Sequence, residues 1–115
     1  MDIENVLRIF GSLSGLDEPA VTQYRYLCDM ALDNIASRLR DAETQQDGGR
    51  ADFAAAALAY YRFVLLSVTD PSVTVGEVTV RDQGKRLEFA DRLMREALAD
   101  IRELADDREF VFERI

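Results

Sequence analysis

The feature that most constrains the fold is a long run of apolar residues in the middle of the chain, from Ala51 to Leu66. It reads Ala-Asp-Phe-Ala-Ala-Ala-Ala-Leu-Ala-Tyr-Tyr-Arg-Phe-Val-Leu-Leu and is apolar nearly all round, which predicts a helix surrounded by other helices. Its consecutive alanines favour helix. Asp70-Pro71 ends the pattern, because proline disfavours helix at the residue before it. The stretch Phe53–Val68 is short for a bilayer span and contains Arg62, so a buried core helix is predicted.

Three amphipathic patterns flank this run and predict the helices that pack against it. The first covers residues 3–12, with apolar residues three and four apart. The second covers about 17–43 and begins with an N-cap acid followed by a proline that the first turn tolerates. The third covers about 83–105, and the polar, glycine-containing residues 44–50 predict a loop. The expected fold is mainly α: a single domain (1–115) in which a short N-terminal helix and three long helices form an elongated four-helix arrangement.

A short alternation of valines over residues 72–81 interrupts this helical pattern and predicts a small β-hairpin around Gly76-Glu77. The ending Phe110-Val111-Phe112 alternates too, which predicts a short C-terminal strand. A β-element that leaves a helical body is suited to pairing with another chain, so it points to assembly. Two alternatives need no partner. In one the hairpin covers the end of its own bundle, and in the other the terminal strand pairs with the hairpin of the same chain.

Charge and cysteine content limit the class of protein. The chain has 22 acids and 14 bases, for a formal charge of −8, and the surplus is spread along its length. The basic patch of an ordinary nucleic-acid binder is missing, although an acidic surface is compatible with DNA sliding past it. The single cysteine, Cys28, excludes an intrachain disulfide and favours a reducing compartment. The acidic N-terminus lacks a secretory pattern, so we expect a soluble intracellular protein.

Few side chains of this sequence are suited to catalysis or metal binding. Histidine, the commonest general base and transition-metal ligand, does not occur. Cys28 lies on an apolar helical stripe and is predicted to be a small buried hydrophobe. The remaining candidates are carboxylates: Asp29 and Asp33 on a polar helix face, and the acids at 106–109 where a helix ends. Solvated acids are the expected reading of both sets, so no enzymatic activity, cofactor or metal site is predicted.

The order of these patterns resembles a known group of proteins. The matching features are a short helix, a long helix, the alanine-rich helix with Ala56-Ala57-Leu58-Ala59-Tyr60-Tyr61-Arg62, the Gly76-Glu77-Val78-Thr79-Val80 excursion, a charged helix and the Phe110-Val111-Phe112 ending. Together they are similar to the small head–tail connector (head-completion) proteins of tailed phages and prophages. The resemblance covers nearly the whole chain. It implies a structural subunit that assembles as a ring beneath the portal, with DNA passing through its lumen.

For such a role the partners would be the portal, other neck and tail proteins, and further copies of the chain. The protein would be found in the bacterial cytoplasm during assembly and afterwards in the virion neck. The residues predicted to make subunit contacts are Val73, Val75, Val78, Val80, Phe110 and Phe112. Two other functions stay open. One is a small intracellular helical adaptor or regulator that binds one partner protein through an apolar groove, and the other is a metal enzyme that uses Asp29 and Asp33 or the acids at 106–109.

Overall fold

The computed structural model of the protein describes residues 2–39, 48–69 and 80–104. These residues form five α-helices: α1 (Ile3–Ser14), α2 (Glu18–Gln23), α3 (Arg25–Leu39), α4 (Gly48–Thr69) and α5 (Val80–Leu104). The prediction of a mainly helical chain is confirmed for this part of the protein. The predicted hairpin lies outside the described residues except at its last two positions, and the predicted C-terminal strand lies outside them entirely.

Both ends of α1 are capped by residues that satisfy free backbone groups. At the start, the carboxylate of Asp2 accepts a hydrogen bond from the backbone N–H of Glu4 at 3.0 Å. At the end, the N–H of Gly15 donates to the carbonyl oxygen of Gly11 at 2.9 Å. Gly15 has a φ of 74°, a left-handed conformation that a residue with a Cβ atom adopts only with strain. The cap ends α1 at Ser14, within the stretch from Gly11 to Gly15 where the sequence predicts the helix to stop.

The second predicted helix is interrupted at Tyr24, so the prediction of one continuous helix, and with it a four-helix arrangement, is wrong. The N–H of Tyr24 is shared between the carbonyl oxygens of Ala20, at 3.1 Å, and Val21, at 3.2 Å. The N–H of Leu27 then donates to the carbonyl of Tyr24 at 3.0 Å. Bonds over three residues tighten the chain for one turn. At this turn the Tyr24 ring packs on the ring of Phe63, with 4.9 Å between their centroids.

The central helix is α4, as its sequence predicts. It packs against α1, α3 and α5, and every residue from Ala54 to Tyr60 is buried. The helix begins at Gly48, so residues 48–50, which were predicted to belong to a loop, form its first turn. Glycine costs about 1 kcal/mol in a helix interior. We attribute the extension to the packing of the alanines that follow, because burial of apolar area offsets a cost of this size.

By length and composition, α4 is also a helix that could cross a membrane. The 21 residues Gly49–Thr69 span about 32 Å, which matches a hydrocarbon layer of about 30 Å. The length argument against a span therefore does not hold. In this structure 67% of the most apolar stretch of α4 is buried inside the molecule. Burial, rather than length, is the reason to describe α4 as a core helix.

The last helix, α5, packs along α4, and we infer from two observations that the helices are antiparallel. Arg86, near the start of α5, contacts Tyr60 in the C-terminal half of α4. Ala97 and Ile101, near the other end of α5, are 3% and 2% exposed, as they would be against the buried N-terminal half of α4. The helix begins at Val80, so Val80 and the residue after it are helical and do not belong to the predicted hairpin. A β-branched residue costs only about half a kcal/mol in a helix, so packing of α5 decides its start.

A cluster of aromatic rings joins these helices. The rings of Phe10 and Phe63 meet edge to face, with 5.8 Å between their centroids. The ring of Tyr24 approaches Phe63 from the α2–α3 break in a similar geometry. Edge-to-face pairs contribute about 0.5–1.5 kcal/mol beyond the burial of their area. The cluster therefore fixes α1 and the break between α2 and α3 on one region of α4.

Candidate functional site

The residues predicted to make subunit contacts belong to two segments that the described helices place at opposite ends of α5. The valine segment (residues 70–79) joins the end of α4 to the start of α5, and the C-terminal segment (residues 105–115) follows the end of α5. Because α5 has 25 residues, these two points are about 37 Å apart. Of the predicted contact residues, Val80 is the first residue of α5. The others lie outside the described residues: Val73, Val75, Val78, Phe110 and Phe112.

This separation bears on the alternative in which both segments pair within one chain. Phe112 follows Leu104 by eight residues, and a fully extended chain of that length spans at most about 29 Å. That reach is shorter than α5. Pairing within one chain therefore requires the valine segment to run back along α5 and cover the remaining distance. Pairing between two chains does not require this path of the valine segment.

Cys28 is a buried side chain of α3, as predicted. Burial raises the pKa of its thiol to about 12; the carboxylate of Asp29 adds to the rise, and the guanidinium of Arg25 opposes it. A thiol with this pKa is protonated at neutral pH, and the thiolate is the nucleophilic form. Cys28 is therefore chemically inert in the folded protein.

The predicted polar face of α3 is confirmed. Asp29 and Asp33 are both exposed, and Asp29 makes an ion pair with Arg25 over 3.7 Å. Exposed pairs of this kind contribute little to stability. Within residues 2–39, 48–69 and 80–104 no three histidine, cysteine, aspartate or glutamate side chains come together as a metal site would need. The acids at 106–109 lie outside these ranges.

A buried carboxylate that the sequence analysis did not single out connects α1 to α4. Asp52 is 4% exposed. Its Oδ1 accepts a hydrogen bond from the backbone N–H of Asp2 at 3.0 Å, and its Oδ2 accepts one from Nδ2 of Asn5 at 2.9 Å. An acid within an apolar run of the sequence indicates that hydrogen-bond donors lie nearby in the fold. Burying a carboxylate without donors costs free energy. With both oxygens engaged, this acid has a structural role.

A second buried polar group links α4 to α5. The side chain of Tyr60 is 3% exposed, and burial raises the pKa of its hydroxyl above the ordinary value. Arg86 lowers that pKa in part, through its charge and through a hydrogen bond to the tyrosine oxygen. The hydroxyl stays protonated at neutral pH. This contact links α4 to the first half of α5.

Large apolar side chains are exposed on three helices. Tyr26 and Met30, one turn apart on α3, are 49% and 57% exposed. Leu65 and Val68, near the end of α4, are 39% and 44% exposed, and Phe89 of α5 is 49% exposed. Single exposed apolar side chains are normal on protein surfaces. The two pairs are candidates for contact with another molecule, because each presents two neighbouring side chains on one helix face.

No protein-family model, curated protein or solved structure matches this chain. The basis for a proposal is therefore its residues, their geometry and the resemblance of its pattern to the connector proteins.

Proposed function

We propose that this protein is a structural, non-catalytic subunit of the head–tail connector type. It assembles into a ring beneath the portal of a tailed phage, and DNA passes through the lumen of that ring. The observation that carries the proposal is the position of the valine and C-terminal segments at opposite ends of α5. Each subunit of a ring needs two different contact surfaces, one for each neighbour, because the contact is head-to-tail. Two β-patterned segments joined to opposite ends of α5 would meet this requirement.

In this proposal the valine segment forms a β-hairpin and the C-terminal segment forms a strand. The two pair between neighbouring subunits, since strand addition joins chains through main-chain hydrogen bonds and gives specificity through alternate side chains. Val80 then anchors the hairpin at the start of α5. The alternating side chains that would pack across the contact are Val73, Val75 and Val78 on one subunit and Phe110 and Phe112 on the next.

The charge of the chain supports a role beside moving DNA. A formal charge of −8 repels the phosphate backbone, which keeps DNA from adhering to the wall of a lumen. Exposed acids occur on both outer helices: Asp29 and Asp33 on α3, and Glu88 and Glu96 on α5. Each of these helices carries as many bases as acids, so the surplus of acids lies in the rest of the chain.

The chemistry of the side chains supports a non-catalytic role. The chain has no histidine, and the thiol of Cys28 is buried and protonated. The contrary hypothesis is a metal enzyme that uses Asp29 and Asp33 or the acids at 106–109. Calorimetric titration of the full chain with Mg²⁺, Ca²⁺ and Mn²⁺ separates the two, because stoichiometric binding of one of these ions would favour the enzyme.

Assembly on the cognate portal tests the proposal. We expect electron microscopy of the mixed proteins to show an additional ring on the portal. The double variant Val75→Thr/Val78→Thr should keep the melting temperature of the subunit and fail to add the ring, because its valines serve contacts between chains. Val64→Thr is the matched control: Val64 is 1% exposed, so this variant should melt at a lower temperature.

Two results would contradict the proposal. One is a portal that gains no ring with the wild-type protein, above all if the neighbouring genes encode no portal, capsid or tail protein. The other concerns the hairpin alone. If Val75→Thr/Val78→Thr lowers the melting temperature as much as Val64→Thr does, the valines belong to the core of their own bundle.

The second candidate is an adaptor that binds one partner protein, and the exposed pair Tyr26 and Met30 favours it. Two neighbouring apolar side chains on α3 resemble the anchors with which helices recognise partners. Affinity purification with the wild type and with Tyr26→Ser/Met30→Ser distinguishes the functions. One host protein that is recovered with the wild type, lost with the variant and accompanied by no ring on the portal would favour the adaptor.

A further inference from the structure

One face of α4 becomes exposed towards its C-terminal end. Leu58, Tyr61, Leu65 and Val68 follow one another at spacings of three and four residues, which places them on the same side of the helix. Leu58 is 7% exposed and Tyr61 is half-buried, whereas Leu65 and Val68 are 39% and 44% exposed. The row therefore leaves the core and presents apolar side chains to solvent. The exposed part, Tyr61, Arg62, Leu65 and Val68, is the α4 patch.

The α4 patch carries one charge, and that charge is positive. Arg62 precedes Leu65 by three residues on the same helix and is half-buried. It makes no ion pair or hydrogen bond with any other residue in the described ranges. The nearest acid of α4 is Asp52, about three turns away, and its oxygens bind α1. An arginine beside exposed apolar side chains favours an occupant that is both acidic and apolar.

The C-terminal segment has this chemistry. Asp106, Asp107 and Glu109 come before the aromatic residues Phe110 and Phe112, and the whole segment has four acids against two bases, Arg108 and Arg114. Large aromatic side chains are the usual anchors of protein contacts. Two internal stretches also lie outside the described ranges, residues 40–47 and 70–79. Both contain acids, but neither contains an aromatic residue. Among these stretches, the C-terminal segment is therefore the one that matches both features of the α4 patch.

In their own chain, Leu65 and Val68 of the α4 patch lie beyond the reach of the phenylalanines of this segment. Because Tyr60 contacts Arg86 and the helices are antiparallel, Leu65 and Val68 lie near the level of the start of α5. The rest of α5 rises about 36 Å from that level to Leu104. Phe112 can lie at most about 29 Å from Leu104, even on a fully extended chain. A second copy of the chain removes this limit, because its α5 can end near the patch.

We propose that the C-terminal segment of one copy binds the α4 patch of a second copy. Phe110 and Phe112 pack on Leu65 and Val68, and the acids before them lie near Arg62. The patch adjoins the start of the valine segment, so an incoming strand can contact both. The contact joins two different surfaces and so extends head-to-tail; its role in closing a ring rests on the proposed connector function, whereas the binding itself needs no portal.

A labelled peptide with the sequence of residues 105–115 tests this contact. Titration of the full-length protein into the peptide, followed by fluorescence anisotropy, should show saturable binding. Leu65→Ser/Val68→Ser should weaken the binding by at least about tenfold. The matched control is Tyr26→Ser/Met30→Ser, which removes an equally exposed apolar pair from α3 and should leave the affinity unchanged. Circular dichroism checks that both variants are folded.

A charge exchange tests the contact without removing apolar surface. Arg62→Glu should weaken the binding, and a peptide in which Asp106, Asp107 and Glu109 are replaced by arginine should bind this variant more tightly than it binds the wild type. The contact is overturned if no saturable binding occurs up to about 1 mM protein. It is also overturned if the α3 control loses as much affinity as the α4 variant.

The results separate this inference from the proposed function. If the peptide binds and no ring forms on the portal, the contact stands and the connector role does not. If the α4 variant fails to bind the peptide and still forms the ring, the contact is not the one that assembles the ring. If that variant loses both the peptide and the ring, both proposals are supported.

Discussion

Asp52, Cys28 and Tyr60 are polar residues that the helices bury, and each is accommodated in a different way. Asp52 is held by two hydrogen bonds from the start of α1. Cys28 is kept protonated by burial, and Tyr60 is kept protonated while Arg86 supplies a hydrogen bond. Each solution satisfies the rule that a buried polar group needs a partner or must lose its charge. For each residue, the effect of its replacement on stability can therefore be predicted.

Asp52→Ala should destabilise the protein, because it removes both hydrogen bonds and leaves two donors of α1 without an acceptor. Hydrogen bonds to a charged group contribute about 1.5–3 kcal/mol, so the free energy of unfolding should fall by about 2–3 kcal/mol. Urea denaturation measures this change. Asp29→Ala removes an acid that is exposed and should change the free energy by less than about 0.5 kcal/mol. Equal effects of the two variants would show that Asp52 does not hold α1.

Because burial raises the pKa of the Cys28 thiol, we expect the protein to lose stability at alkaline pH. The thiol has a pKa near 9.0 when unfolded and about 12 when folded. Below pH 9 both states are protonated and the full stability is present; as the pH rises from 9 to 12 the unfolded state loses its proton first, so stability falls. Cys28→Ala should lose less stability over this interval, as measured by urea denaturation at each pH. Tyr60 contributes a loss in the same direction to both proteins, and identical pH profiles would contradict the prediction.

At the scale of helices, the break at Tyr24 separates what the sequence can predict from what it cannot. The spacing of apolar residues is local information, and it is sufficient for α1, for the central position of α4 and for most of α5. The break depends on Phe63, the partner of Tyr24 in the core, which lies far along the chain. Asp52 likewise finds its donors about fifty residues earlier. Contacts between distant residues are not encoded in a helical period, so these features require the folded structure.

The observed first residues of α4 (Gly48) and α5 (Val80) differ from the predicted ones for a related reason. Relative to alanine, glycine costs about 1 kcal/mol in a helix and valine about half as much, and packing of the residues that follow outweighs these costs. The α4 patch was missed because a helix that is apolar on every side gives no indication of which side its neighbours leave exposed. The one feature of the sequence that indicates the exposed side is Arg62, the base within that apolar run.

Tyr24→Ala should destabilise the protein through loss of its contact with Phe63. A half-buried aromatic ring with an edge-to-face partner should cost about 2–3 kcal/mol on removal. Tyr26→Ala, two residues further on, removes a ring that is 49% exposed and should cost less than about 0.5 kcal/mol. Urea denaturation followed by circular dichroism compares the two. A larger loss for Tyr26→Ala would mean that the break is not maintained by the aromatic cluster.

At the scale of the whole molecule, the proposed function requires a surface to which DNA does not adhere. With a formal charge of −8, the wild type should not retain duplex DNA in a gel-shift assay even at about 50 mM salt. A variant in which the exposed acids Asp29, Asp33, Glu88 and Glu96 are replaced by lysine has a formal charge of zero and should retain more DNA. Binding by the wild type that weakens as salt is added would contradict a surface past which DNA slides.

The way in which α5 is held has a consequence for motion. Its chief packing partner is α4, whereas α4 is also supported by α1 and α3. A helix with support on one side opens locally at a lower free energy than global unfolding requires. Hydrogen exchange followed by mass spectrometry should therefore show faster exchange for amides of α5 than for those of α4, and equal protection would contradict this view. If the protein assembles as proposed, movement of α5 relative to the other helices would change the spacing between the contacts at its two ends without unfolding the rest of the molecule.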